Sequence, residues 1–224
     1  MGNKTVLIVA AHADDEVLGC GGTIARHASE GDIVHAVFMA DGVISRNTTS
    51  EIDLTRRIAA ASQAHDILGL KQVEFLELPD NSMDSIPLLK IVQTLEAIVF
   101  NIAPQIIYTH HYGDLNVDHC ITHKAVMTAC RPVPGCTAKE IYSFEVVSST
   151  EWAAPYQEPF LPNYFVDISD YLDQKIRALE AYKLEMRAVP HSRSIEHAEC
   201  LALHRGNSVG VGAAEAFMSI RQIR

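Results

Sequence analysis

The sequence predicts an α/β fold in which helices cover a mainly parallel sheet on both faces, in three layers. Three observations carry that prediction. Short apolar runs rich in β-branched residues alternate with longer stretches of helical period. The connections are short and carry turn residues such as Gly, Asp and Pro. Polar clusters follow directly on two of the apolar runs, where an α/β sheet opens its ligand crevice.

The elements follow in order. Val6-Leu7-Ile8-Val9 is the first strand, and Ala10-Ala11-His12-Ala13-Asp14-Asp15-Glu16 comes straight after it. Gly19-Cys20-Gly21-Gly22-Thr23 reads as a tight turn into a helix reaching Ser29, with Gly31 as its stop. Residues 33–39 form the second strand, closed by Asp41-Gly42, and 43–52 form a polar loop. Leu54, Ile58, Ala61, His65 and Leu68 share a helical face over 53–68 before Gly69. Residues 73–78 are the third strand, ending in Pro79-Asp80-Asn81, and Pro87 opens a helix to Ile102.

The strand 105–109 runs into His110-His111-Tyr112-Gly113-Asp114-Leu115-Asn116-Val117-Asp118-His119, and a helix covers 118–130. Strands are expected at 141–147 and 164–166, separated by a Pro-rich loop holding Trp152 and Tyr156. Residues 170–189 and 195–204 are helical, and Gly206, Gly210 and Gly212 lead into 213–220. Alternating strands and helices with short links give a Rossmann-like sheet in a single domain, 1–224.

Composition excludes several classes. Hydrophobic residues at 48% and charged ones at 21% are ordinary globular values. A net charge of −10 argues against a nucleic-acid surface, although a local arginine pocket can still receive a phosphate. Five cysteines without a C-x-x-C pair fit reduced thiols in a cytoplasm better than disulfides. The first apolar run is too short and too soon charged for a signal peptide, and no stretch is long enough for a membrane span.

The two polar clusters point to a metal. A catalytic zinc takes three N/O ligands and leaves a position open. His12 and Asp15 lie three apart beyond the first strand, so both can face one ion while Asp14 stands beside it. His119 opens a helix after a different parallel strand and can reach the same place.

Ala11-His12-Ala13-Asp14-Asp15-Glu16 with Gly21-Gly22-Thr23 resembles the signature of the LmbE-like, or PIG-L, zinc N-deacetylases. Weaker similarity runs through Asp41-Gly42, Pro79-Asp80, Asn116-x-Asp118-His119 and Ala214-Glu215-Ala216-Phe217. The resemblance implies removal of an acetyl group from an N-acetylglucosamine-type sugar by zinc-activated water. It implies His12, Asp15 and His119 as metal ligands, with other divalent metals open, and Asp14 as general base. A nucleotide-linked acetamido sugar is the favoured substrate, again by resemblance, and a homo-oligomer is compatible with it.

The sequence departs from the family at Asn116, where many members carry a histidine. An amide can donate to an oxyanion but cannot titrate near neutrality. Asp14 is therefore expected to act as base and then acid, with His110, His111 or His191 as alternative acids. Asp118 orients a neighbouring side chain or caps the helix that follows, and Glu16 supports the turn. His123 completes His-x-x-x-His with His119, but a structural imidazole is the better account. Substrate-contact candidates are Arg46, Arg57, Arg131, His110 and His191, and Trp152 and Tyr156 could stack on a ring.

Two rivals stand against this reading. A dinucleotide oxidoreductase would use Gly19-x-Gly21-Gly22 with Asp41 on a ribose, but Ile24 holds the third-glycine position and the carboxylates repel a pyrophosphate. A non-catalytic metal- or sugar-binding homologue has only Asn116 in its favour.

Overall fold

The computed structural model describes residues 3–40, 51–154 and 158–224; Asp41, Gly42, Arg46 and Tyr156 lie outside the described residues. Strands β1 (Thr5–Ala10), β2 (Ile33–Ala40), β3 (Gln72–Leu78), β4 (Ile106–His110), β5 (Glu140–Phe144), β6 (Tyr164–Asp167) and β7 (Ala214–Gln222) form one sheet in the order β3-β2-β1-β4-β5-β7-β6. The first five run parallel; β7 is antiparallel to both β5 and β6. The chain order reverses at β1, which pairs with β2 on one side and β4 on the other. Ligands of open α/β sheets bind at such a switch point, outside the strands' carboxyl ends.

Side-chain alternation along β1 makes the three layers. Val6, Ile8 and Ala10 face a core shared with helices α1 (Asp15–Ser29), α2 (Glu51–Leu68), α5 (Leu172–Ala181) and α6 (Ile195–Asn207). Leu7, Val9 and Ala11 face the opposite core, filled by α3 (Leu88–Ile102) and α4 (Val117–Ala129). A strand buried on both faces must be apolar throughout, which is why β1 reads as an unbroken run.

Several elements differ from the sequence expectation. The glycines 19–22 lie inside α1, not in a turn before it, and the helix is kinked at Cys20 (φ −149°, ψ 25°). The kink frees backbone groups that a regular helix would pair. Gly22 and Thr23 N–H donate instead to the Glu215 carboxylate at 3.0 and 2.7 Å. Lys175 Nζ donates to Glu215 Oε1 at 2.5 Å and to the Leu18 carbonyl at 2.9 Å. A buried ion pair from α5 and β7 thus repairs the break in α1. The glycines admit close neighbours there: a Cβ on Gly22 would lie 2.7 Å from Ile168, and one on Gly19 2.3 Å from the Phe144 ring.

The helix expected over 170–189 stops at Ala181, where tight turns follow and carry Tyr182 and Glu185 into buried positions. The strand expected over 141–147 ends at Phe144. The last segment is the antiparallel strand β7, inserted between β5 and β6.

Candidate metal centre

All the polar clusters meet at the carboxyl ends of β1, β3, β4 and β5. His12 Nδ1, an Asp15 carboxylate oxygen and His119 Nε2 lie close enough together to hold one ion. Asp15 Oδ2 sits 3.2 Å from each of the two histidine nitrogens. All three side chains are buried, and Asp15 Oδ1 and His119 Nε2 have no hydrogen-bond partner among the described residues. Buried polar atoms are normally satisfied, so the two orphaned atoms beside a converging N/O set fit a cation better than they fit an empty core.

Each histidine is backed by a carboxylate on its other nitrogen. His12 Nε2 lies 3.1 Å from Asp118 Oδ2 and 3.1 Å from Asp80 Oδ1. His119 Nδ1 lies 3.1 Å from Asp114 Oδ1. Such partners favour a proton on the outer nitrogen, and a bound cation would displace the proton from the inner one. Asp118 is itself fixed by N–H donors from Asn81 (2.7 Å) and Met83 (3.1 Å). Asp114 accepts from Ser149 Oγ, from Thr150 Oγ1 at 2.6 Å and from the Asn116 N–H at 2.9 Å. His12, Asp80 and Asp118 form a second set with metal-holding spacing, but two of Asp118's acceptor positions already hold those N–H groups.

The electrostatics follow from carboxylates crowded around imidazoles. Burial disfavours a charged His119, yet Asp15 and Asp114 outweigh it and hold the ring up at about 9. His12 likewise is pulled down by burial but held well above its usual range by Asp118, Asp15 and Asp80. Burial raises Asp15, and the neighbouring histidines more than reverse that. Such a site holds protons where a divalent cation would displace them.

Asp14 lies between the two β1-end ligands in sequence and has an unusual backbone. Its φ of 126° is rarely adopted by a residue with a Cβ. Strain of that kind costs on the order of 1–3 kcal/mol and persists where the surroundings enforce it. Here the Asp14 N–H donates to Glu16 Oε2 at 2.9 Å, and the Asp14 carbonyl accepts from Val17 and Leu18. Glu16 in turn is bonded by Tyr182 (2.8 Å) and His65 (3.2 Å). Burial raises the Asp14 carboxyl to about 6, while the Arg193 guanidinium, 2.7 Å from Oδ2, opposes that rise.

The expected contact residues divide. Arg57 reaches the cluster's edge, donating to the Ala13 carbonyl at 3.3 Å with Glu185 3.7 Å away. His110 is wholly buried beneath the site: Nε2 accepts the Ala11 N–H at 2.8 Å and its ring stacks on His119 at 3.9 Å. Burial holds its pKa well down, so it orders the β1 end as a neutral ring. Arg131 is not brought to the cluster; it stands past the far end of α4, paired with Glu96 at 2.6 Å. His191 is exposed, edge-on to Trp152, and its Nδ1 accepts the Arg193 N–H at 2.9 Å.

Asn116 caps α4: Oδ1 accepts the Asp118 N–H at 2.8 Å and Nδ2 donates to Asn81 at 3.1 Å. His111 Nε2 is held by the Glu158 carbonyl and His123 Nδ1 by the His110 carbonyl. Nothing in the sequence marks Arg193, a lone arginine in Pro190-His191-Ser192-Arg193-Ser194. Asp114, by contrast, stood within the second polar cluster and carried a visible signal.

Comparison with known proteins finds relatives along most of the chain. The chain is 32% identical over 186 residues to the uncharacterized deacetylase YaiS of Escherichia coli (strain K12), covering 80% of this chain and 91% of that protein. It is 28% identical over 198 residues to a 4-oxalmesaconate hydratase of Pseudomonas putida, covering 79% and 72%. The structure matches the conserved protein TT1542 of Thermus thermophilus with a TM-score of 0.80 and 25% identity, over 99% of this chain and 96% of that one. Residues 7–130 match the family described as PIG-L, GlcNAc-PI de-N-acetylase. This chain, with His12, Asp15 and His119 inside the matched region, belongs to the PIG-L family.

Proposed function

We propose that the protein is a metal-dependent hydrolase that removes the acetyl group from an acetamido sugar, with Asp14 as general base. The observation that carries this is the buried His12–Asp15–His119 set, backed by Asp118, Asp80 and Asp114, with a strained, buried carboxylate beside it. His12, Asp15 and His119 would hold the ion, and zinc suits a site of two imidazoles and one carboxylate. When bound, such a cation supplies Lewis acidity, polarising a carbonyl and making water more acidic.

The chain's own residues then move the proton. Asp14 takes it from the attacking water as the oxygen–carbon bond forms at the acetyl carbonyl. Asp14 returns it to the sugar nitrogen as the carbon–nitrogen bond breaks, giving acetate and a free amine. The Asn116 side chain is engaged in capping and with Asn81, and His110 is buried as a neutral ring, so neither competes with Asp14 for the acid step. Arg57, at the edge of the cluster, is assigned to a sugar hydroxyl or phosphate in this reading.

The test is acetate release by zinc-loaded protein from free and nucleotide-linked acetamido sugars. Release from at least one is expected, and Asp14→Asn should cut turnover by about 100-fold or more while metal content stays unchanged, since general base catalysis contributes that order. The hydratase relative favours a second reading, addition of water to an unsaturated polycarboxylate using the same base. Water addition to such an acid without acetate release from any sugar would replace the first reading by the second.

A further inference from the structure

We propose that Arg193 is the positioning residue of the base: its guanidinium pins Asp14 Oδ2 and so selects Oδ1 as the oxygen that accepts the proton. This rests on the hydrolase reading above. Three observations lead to it.

The first is the asymmetry of the Asp14 carboxylate. Oδ2 is 2.7 Å from Arg193 Nη1, whereas Oδ1 is buried and has no hydrogen-bond partner among the described residues. A charge-assisted bond to one oxygen of a carboxylate fixes the plane of both. The second is that little else fixes it. Glu16 and the start of α1 lock the backbone of Asp14, but they bond its N–H and carbonyl and leave the side-chain torsions to be set by other contacts.

The third is that the guanidinium is itself held at two points. Arg193 Nε donates to Ser148 Oγ at 2.8 Å, on the segment that also supplies Ser149 to Asp114. Its backbone is tied on both sides, by the Arg187 N–H to the Arg193 carbonyl at 2.9 Å and by the Arg193 N–H to His191. Ser192 Oγ bonds Glu151, anchoring the same loop next to Ser148. The planar fork reaches Asp14 and Ser148 at once, which an ammonium cannot reproduce. Nη1 and Nε are committed to Asp14 and Ser148, so the arginine acts through Asp14.

The test uses the zinc-loaded protein and the best acetamido sugar. Arg193→Ala should lower kcat about 10–100-fold, the order expected when a reacting group is misplaced by about an ångström. KM should stay within about twofold, and metal stoichiometry should not change. In an Asp14→Asn background the same substitution should cost nothing further, because its effect passes through Asp14. Arg193→Lys should fold and fall between the wild type and Arg193→Ala; if the alanine variant does not fold, an Arg193→Lys kcat equal to wild type overturns the proposal.

A kcat loss under threefold, a loss confined to KM, or an undiminished loss in the Asp14→Asn background would each overturn it. Should wild-type protein release acetate from no sugar, the hydrolase reading falls, and crystal structures decide the positioning claim separately. Asp14 Oδ1 should then move by more than about an ångström in Arg193→Ala relative to wild type, and an unmoved carboxylate refutes it.

Discussion

Asp118 and Asp114 stand behind His12 and His119, yet their replacement by asparagine should have unequal effects. Three nitrogens converge on Asp118: Asn81 N–H at 2.7 Å and His12 Nε2 at 3.1 Å on Oδ2, and Met83 N–H at 3.1 Å on Oδ1. In Asp118→Asn, either orientation of the amide turns an NH2 donor against at least one of those donors. An unsatisfied buried N–H costs about 1–3 kcal/mol, and loss of an orienting carboxylate typically weakens a metal site about 10–100-fold. Around Asp114 the Asn116 N–H and Ser149 Oγ converge on Oδ1, with His119 Nδ1 at 3.1 Å, while Oδ2 takes only the Thr150 hydroxyl. A hydroxyl can turn to accept, so Asp114→Asn keeps its contacts and loses only charge. Zinc affinity, measured by chelator competition, should therefore fall toward about 100-fold in Asp118→Asn and toward about 10-fold in Asp114→Asn. Equal losses, or a greater loss in Asp114→Asn, would refute the assignment of donors around Asp118.

Three further outcomes follow from the same geometry. Chelating a metal present at about 100 times its Kd should remove about 2.7 kcal/mol of stability, a fall of about 5–10 °C in Tm by calorimetry. Replacing Glu215 by Ala strands Lys175 in the core beside the α1 kink, which should cost about 3–5 kcal/mol in denaturant unfolding; a loss under about 1 kcal/mol would show that the pair does not repair the kink. Gly22→Ala places a Cβ 2.7 Å from Ile168, so unfolding should report about 1–3 kcal/mol of destabilisation, partly relieved by Ile168→Val; no relief would put the strain elsewhere.

Periodicity made most elements legible, because β1, β2, β4 and β5 are buried on both faces and α3 carries one apolar stripe. What stayed hidden depends on partners far along the chain. The glycines 19–22 looked like a turn, since nothing near them shows that Glu215 and Lys175 will take up the freed backbone groups. The helix through 170–189 looked longer than it is because Tyr182 keeps helical phase with Leu179 while serving Glu16 instead. At the site, imidazoles and carboxylates clustered at strand ends could be recognised locally. Arg193 could not, being 179 positions from Asp14 and carried on a segment without a motif. Arg131 misled for the opposite reason: it follows the helix that carries His119, but at the wrong end.

The splice in α1 bears on how the molecule can be divided. A fragment ending at Cys130 would contain His12, Asp15, His119 and all of the residues matched to the family, and it would look self-sufficient. Yet Lys175, Tyr182, Arg193 and Glu215 all come after that point, and they hold the kink, Glu16 and Asp14 in place. During synthesis the full set of these contacts can form only after the last strand has left the ribosome. Grafting the first half alone onto another scaffold would therefore transfer the ligands without the support that shapes them.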